Sequence, residues 1–138
     1  MEKIKPRTLS GFMELLPARQ AQMERFMQKL RETYSLYGFT ALDTPVIEAA
    51  EVLLNYGQLS FPFRRYQIGK VYRGERAQRG RFREFYQADI DIIGDGQLSV
   101  INEAEIPSII YRTFRSLGLE HFVIRVNNRK ILGGFYAM

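Results

Sequence analysis

The chain has no cysteine, so disulfides, thiolate nucleophiles and cysteine-ligated zinc are all excluded. Its one histidine, His121, cannot anchor a histidine-rich metal site and reads as a connector between a helix and a strand. No apolar run is long enough to suggest a membrane span. The opening MEKIKPRTLSGF carries lysines without the apolar core of a secretory signal, so a cytoplasmic location is expected. Neither a Walker-type nor a dinucleotide-binding glycine pattern occurs, which disfavours the ordinary phosphate-loop folds. Internal repeats, low-complexity tracts and linkers are also missing.

What is present is ordinary for a globular domain: 46% hydrophobic and 25% charged residues over 138 positions. That length reads most simply as one domain. A chain of that size buries roughly 70% of its unfolded surface, enough for a real core. Twenty Lys and Arg against fifteen Asp and Glu leave a net charge of +5. The balance favours phosphate-bearing partners: nucleotides, nucleic acid or anionic lipid.

The first dozen residues are basic and unpatterned, and are expected to be loosely ordered. Pro17 fits the first turn of a helix. From there Met23, Phe26, Met27, Leu30, Tyr34 and Tyr37 recur at helical spacing, with Gly38 as the stop. Phe39 to Val46 suggests a short extended segment that Pro45 confines to an edge or an interface. Glu48 to Leu54 is helix-like but short. Ser99 or Asn102 can cap a later helix striped by Val100, Ala104, Pro107, Tyr111 and Phe114, and widened by Ile106, Ile110 and Leu117. Pro107 should lie near its start or kink it, and Gly118 closes it. Phe122, Ile124 and Val126 alternate as in a strand, and Asn127 or Asn128 can cap a final helix from Arg129. The element order is that of an α+β fold with a largely antiparallel sheet.

The informative stretch is Phe63 to Gly94, two strands joined by a basic, glycine-containing turn. Strand alternation places Tyr66, Ile68 and Tyr72 on one face, with Tyr86, Ala88, Ile90 and Ile92 from the return arm. Gln67, Arg73 and Glu75 share the other face with Phe85, Gln87, Asp89 and Asp91. Arg73 offers a rigid fork of donors for phosphate or carboxylate oxygens. The turn from Arg76 to Arg81 is flexible and cationic, which suits wrapping a polyphosphate. Phe85 could stack a flat base. Gln87 and Asp91 could hold an ammonium or a polar group. On residue types alone, an exposed salt-bridged hairpin and a binding floor are both open.

The same residues resemble a known family. Val71-Tyr72-Arg73-Gly74-Glu75-Arg76, then Gly80-Arg81-Phe82-Arg83-Glu84-Phe85-Tyr86-Gln87, is similar to motif 2 of class II aminoacyl-tRNA synthetases, most closely in its histidyl form. Upstream, Gly11 to Pro17 with the following helix, then GFTALDTPVIE with Pro45, resemble that family's entry and motif 1. Downstream, INEAEIPSIIYRTFRSLGL and FVIRVNNRKIL resemble the helix and strand after motif 2. The resemblance covers nearly the whole chain, with motif 1 at about 38–54 and motif 2 at about 63–94. It implies a class II aminoacyl-tRNA synthetase-like antiparallel sheet flanked by helices. Residues 1–138 would be a single catalytic-core fragment with no anticodon-binding domain.

The chemistry the resemblance implies is ATP-dependent activation of histidine to histidyl-adenylate, followed by transfer to tRNA. Arg73 is then the catalytic arginine that contacts the α-phosphate and the amino-acid carboxylate. Glu75 would accept from the adenine amino group, Phe85 would stack on adenine, and Arg81 would reach the terminal phosphates. Gln87 and Asp91 would hold the histidine. ATP is a substrate, Mg²⁺ bridges its phosphates, no protein metal site is implied, and motif 1 would pair two copies as a homodimer.

The sequence also departs from the family. There, a substantial segment with further strands and a Glu-x-Thr element separates the two motifs, whereas here NYGQLSFPFRRYQ follows Leu54 almost at once. The histidine-specific motif and motif 3 do not follow motif 2 within these residues. The pattern is that of an internally deleted, C-terminally truncated core. Adenylate formation is the step expected to survive, weakened, while histidine specificity and tRNA charging stay open. Two further readings stay open: a non-catalytic remnant that binds nucleotide or RNA, and a regulatory paralogue serving histidine biosynthesis. Arg73, Glu75, Arg81 and Phe85 weigh against the second.

Overall fold

A computed structural model of the chain describes residues 7–45 and 60–137. The expected short helix from Glu48 to Leu54 and the far part of motif 1 lie outside the described residues. The chain divides into two compact units, Met1–Leu98 and Ser99–Met138.

In the first unit, helix α1 runs Pro17–Leu36, with proline at its first turn where a missing N–H costs nothing. It buries Met27, Leu30, Thr33 and Tyr34, a stripe at three- and four-residue spacing. Phe26, expected in that stripe, is 46% exposed, because it lies one position off the buried row. Thr33 is tolerated inside because its hydroxyl donates to the Lys29 carbonyl at 2.9 Å. The chain leaves α1 through Gly38 at φ +74°, a left-handed turn that glycine adopts without strain.

Strand β1 is only Thr40–Ala41, β2 is Phe63–Tyr72 and β3 is Glu84–Ile93, in sheet order β1-β2-β3. The long β2–β3 pair is antiparallel, as expected, and β1 adds a parallel edge with Thr40 beside Arg65 and Ala41 beside Tyr66. The register sets the faces directly, since opposite residues share a side. Tyr66 opposes Ile90 and Ile68 opposes Ala88 on one side; Gly69 opposes Gln87 and Gln67 opposes Asp89 on the other. The core forms on the Tyr66 side. Tyr34 packs on Tyr66 with ring centroids 5.6 Å apart and on Phe39 at 6.5 Å, and the Arg64 guanidinium covers Phe39 at 4.9 Å.

The second unit holds α2, Ile101–Ser116, and α3, Arg129–Tyr136. Pro107 lies inside α2, where its ring nitrogen cannot donate to the Glu103 carbonyl. The buried face of α2 is rotated from the expected stripe. Ile109 and Thr113 are its buried residues, while Val100 and Tyr111 are exposed. Residues 122–127 form no strand, contrary to expectation. Alternation alone makes no ladder, and no described strand pairs with them. Phe122 instead packs on Tyr111 and Phe114, at 5.6 and 5.2 Å. Asn128 caps α3, its side-chain oxygen accepting from the Lys130 N–H at 2.8 Å.

Candidate functional site

Of the site residues expected from the sequence, Phe85, Gln87 and Asp91 lie on the polar side of β3, while Arg73, Glu75 and Arg81 lie in the turn, because β2 ends at Tyr72 and not at Glu75. Along a strand that rises roughly 3.4 Å per residue, Phe85 and Asp91 stand about 20 Å apart. Arg73, Glu75 and Arg81 gather at the turn with Phe85; Gln87 and Asp91 lie towards the other end.

At the turn, the Arg73 N–H donates to the Arg83 carbonyl at 2.8 Å, carrying the ladder one step past β2. That step brings the Arg73 guanidinium over the Phe85 ring, 4.8 Å from its centroid. The cation is thereby held by a flat platform and keeps N–H donors for an anion. Glu75 and Arg81 pair with each other through Nε and a carboxylate oxygen. The hydrogen bond from Arg81 holds the Glu75 carboxyl below the usual range, helped by the charges of Arg81 and Arg73, and it raises Arg81 in turn. Gln78 and Arg81 close the turn by exchanging backbone hydrogen bonds at 3.1 and 2.9 Å.

Ahead of α1, in a stretch expected to be loose, Gly11 is docked against this turn. The Gly11 carbonyl accepts from the Arg83 and Glu84 N–H groups at 2.7 and 3.1 Å. Gly11 sits at φ +86°, and a Cβ there would lie 2.9 Å from the Ala77 Cβ and from the Arg83 Cγ. Only glycine allows this approach.

At the other end a recess of about 490 Å³ opens above Gly69, lined among others by Thr44, Gln67, Val71, Gln87 and Asp89. A Cβ at Gly69 would meet nothing within 4 Å, so the missing side chain leaves real space opposite Gln87. The Gln87 amide nitrogen donates to both Asp89 oxygens, at 2.9 and 2.7 Å. Asp91 does not line this recess. It sits opposite Arg65 and pairs with its Nη2 at 2.5 Å. Arg65 also donates to Gln67 at 3.2 Å, and Gln67 donates to the Thr44 hydroxyl at 3.2 Å.

Asp89, Gln67, Arg65 and Thr44 are therefore parts of the site that sequence reasoning did not single out. Alternation had Asp89 and Gln67 on the right face, and Arg65 falls there by the same rule. Nothing in the sequence joins Thr44 to Gln67, because that contact depends on the parallel pairing of β1 with β2.

A second recess, of about 270 Å³, involves Met13, Glu14, Gln20, Lys70, Glu84 and Tyr86 among others. Alternation puts Lys70, Glu84 and Tyr86 on the Tyr66 side, away from Gln87. Lys70 pairs with Glu84 at 2.9 Å. Lys70 and then the Tyr72 hydroxyl hold Glu84 below its usual range, while the shared carboxylate pushes both Lys70 and Tyr72 up. Those groups satisfy one another, which fits a structural network at the turn end of the hairpin.

Among the described residues no group of three or more His, Cys, Asp or Glu side chains is placed to hold a metal ion. No described helix is long and apolar enough to cross a membrane.

Comparison with known proteins agrees with the arrangement of these elements. Against a histidine–tRNA ligase of Clostridium tetani the chain is 48% identical over 170 aligned positions, covering 96% of this chain and 39% of the relative. Those positions outnumber the 138 residues here, so the relative carries residues with no counterpart in this chain. The crystal structure of histidyl-tRNA synthetase from Nostoc sp. PCC 7120 superposes with a TM-score of 0.80 at 35% identity, over 94% of this chain and 39% of that one. A Bacillus halodurans C structure described as an ATP phosphoribosyltransferase regulatory subunit/histidyl-tRNA synthetase shares the fold, with a TM-score of 0.68 at 20% identity over 85% of this chain and 40% of that one. The chain thus spans well under half the length of these proteins. Residues 21–137 match the tRNA synthetase class II core domain (G, H, P, S and T), and the chain belongs to that family.

Proposed function

We propose that this chain is a catalytic-core fragment that binds ATP and histidine and forms histidyl-adenylate, the first step of histidine–tRNA ligation. The observation that carries the reading is the Arg73 guanidinium fixed 4.8 Å above the Phe85 ring, at one end of a polar face that leads into an open recess. A base platform, a phosphate-binding cation and an amino-acid recess then follow one another along a single hairpin. Similarity to histidine–tRNA ligases over 96% of the chain supports the substrate choice.

In this reading a carboxylate oxygen of histidine attacks the α-phosphorus of ATP. The bond to the bridging oxygen breaks, and pyrophosphate leaves with the electron pair. Arg73 meets the negative charge that grows on the phosphoryl oxygens, without having to reorganise. Phe85 stacks the adenine and Glu75 accepts from its amino group. Arg81, released from Glu75, answers the terminal phosphates. Gln87 and Asp91 form the amino-acid end. Mg²⁺ would arrive with the phosphates as part of the nucleotide substrate, supplying charge neutralisation there. Rigid strands keep the two substrates aligned. The two compact units are parts of one catalytic core, at home in the cytoplasm. Homodimer formation through motif 1 completes the proposal.

Histidine-dependent ATP–pyrophosphate exchange tests it. Arg73→Ala should cut exchange by about 10²–10³-fold; unchanged exchange in that variant removes Arg73 from its role. The second reading, a non-catalytic remnant that binds nucleotide or RNA, draws on the residues present in relatives and missing here. ATP binding with no exchange above background in the parent chain would favour it. A regulatory role like that named for the Bacillus halodurans protein has the shared fold behind it and nothing more.

A further inference from the structure

One residue at the turn end of the hairpin is bonded at three points. The Arg83 N–H donates to the Gly11 carbonyl at 2.7 Å, and the Arg83 carbonyl accepts from the Arg73 N–H at 2.8 Å. Its guanidinium reaches back across the turn, where Nε donates to the Glu75 backbone carbonyl at 3.0 Å. Arg83 therefore joins the segment ahead of α1 to both Arg73 and Glu75. Its stem runs against Gly11, where a Cβ would lie 2.9 Å from the Arg83 Cγ. The side chain thus starts from space that only glycine leaves open.

Glu75 needs such a hold. At Gly74, just before it, a Cβ would meet nothing within 4 Å, so packing does not fix the backbone there. The Glu75 side chain is half exposed, and its carboxylate pairs with Arg81. In the adenylation reading that pair opens when Arg81 turns to the terminal phosphates. Arg83 bonds the Glu75 carbonyl and not the carboxylate, so its hold survives the exchange. A guanidinium whose Nε is spent on a carbonyl also lacks its side-on fork for phosphate. We infer that Arg83, seated by Gly11, is a positioning residue for adenine selection. It fixes the Glu75 backbone, so that the freed carboxylate meets the 6-amino group of the base. The inference rests on the adenylation reading and deepens it.

The test is calorimetric titration of the full chain with ATP and with purine riboside triphosphate, which lacks only the 6-amino group. One hydrogen bond to a charged acceptor should give the parent a preference for ATP of roughly 10-fold. Arg83 is exposed, so Arg83→Met keeps the fold and much of the side chain's length. It should weaken ATP by about 5–10-fold and leave the purine triphosphate within about twofold, which erases most of the preference. Arg83→Lys, which can still donate to the carbonyl, should restore much of it. Gly11→Ala should shift the ratio in the same direction, because it displaces Arg83 without altering the guanidinium. A purely structural role, or a direct contact to phosphate, would weaken both triphosphates alike. If Arg83→Met keeps the parent's ratio, the inference is wrong and the adenylation reading stands. A parent that binds both triphosphates equally removes the contact between Glu75 and adenine, and the inference with it. If the folded parent binds neither, the adenylation reading and the inference fall together.

Discussion

The two compact units solve the burial problem differently. In Met1–Leu98 the apolar side of the hairpin lies under α1, with Met27, Leu30, Tyr34, Phe39 and Tyr66 buried. The polar side is held by its own hydrogen bonds and ion pairs, from Arg73 on Phe85 to Arg65 on Asp91. In Ser99–Met138, Ile109 is fully buried and Thr113 nearly so, whereas α3 buries nothing and exposes Ile131, Leu132, Phe135 and Tyr136. One unit therefore has redundancy in its contacts and the other depends on a few. The candidate site lies in the redundant unit, as suits a site whose side chains must be fixed by neighbours. The exposed apolar residues of the other unit are where nonspecific association is expected.

The sharpest way to break this contrast is at Ile109. Replacing a fully buried isoleucine removes contacts and leaves a cavity, so Ile109→Ala should cost about 2–5 kcal/mol. Urea unfolding gives the magnitude, and amide exchange gives the place. Exchange should quicken in α2 while the β2–β3 ladder amides stay protected. Equal acceleration in both would show that the two units do not differ as described.

Next in size is Gly11→Ala in the hairpin unit. An alanine there is strained at φ +86° and meets the Ala77 and Arg83 side chains. A cost of about 1–3 kcal/mol is expected. The Arg83 and Glu84 amides, which donate to the Gly11 carbonyl, should lose exchange protection first. Protection unchanged at those amides would mean that the docked segment does not hold the turn.

These two residues also mark how far the sequence can be read. Helix α1 was legible because three local signals agree: Pro17 at the start, apolar spacing within, and Gly38 at the stop. The hairpin faces were legible because a strand's period is two and the turn fixes the register. Pairings over long sequence distance were not. Nothing local says that Thr40 lies beside Arg65, that Gly11 docks on Arg83, or that residues 122–127 find no ladder. The site shows the same limit. Alternation placed Gln87 and Asp91 on one face, but only the register showed Arg65 opposite Asp91 and the space over Gly69 beside Asp89. Ile109 stands outside the stripe that runs through Val100 and Tyr111, and periodicity alone does not say which side of a helix is covered.

A smaller effect is expected at the cap of α3. Asn128→Ala removes the acceptor for the Lys130 N–H and should cost about 1 kcal/mol. Because α3 buries no residue, the loss should appear as fraying of α3, read from amide exchange at Lys130 and Ile131, and leave the hairpin unmoved.

The smallest energetic effect, and the one closest to the proposed chemistry, is at Glu75. Its carboxyl is held low by Arg81, so its ionised form is favoured in the folded chain. A lowered folded value contributes stability that is present above the ordinary glutamate range and lost as pH falls through the lowered value. Both side chains are exposed, so the change in unfolding should be slight, and the carboxyl ¹³C shift is the better reporter. Arg81→Met should raise the Glu75 midpoint towards the usual range. ATP should raise it too, if the terminal phosphates draw Arg81 away from Glu75 as proposed. A midpoint that moves in Arg81→Met but not with saturating ATP would leave the ion pair intact and deny Arg81 its part in holding the nucleotide.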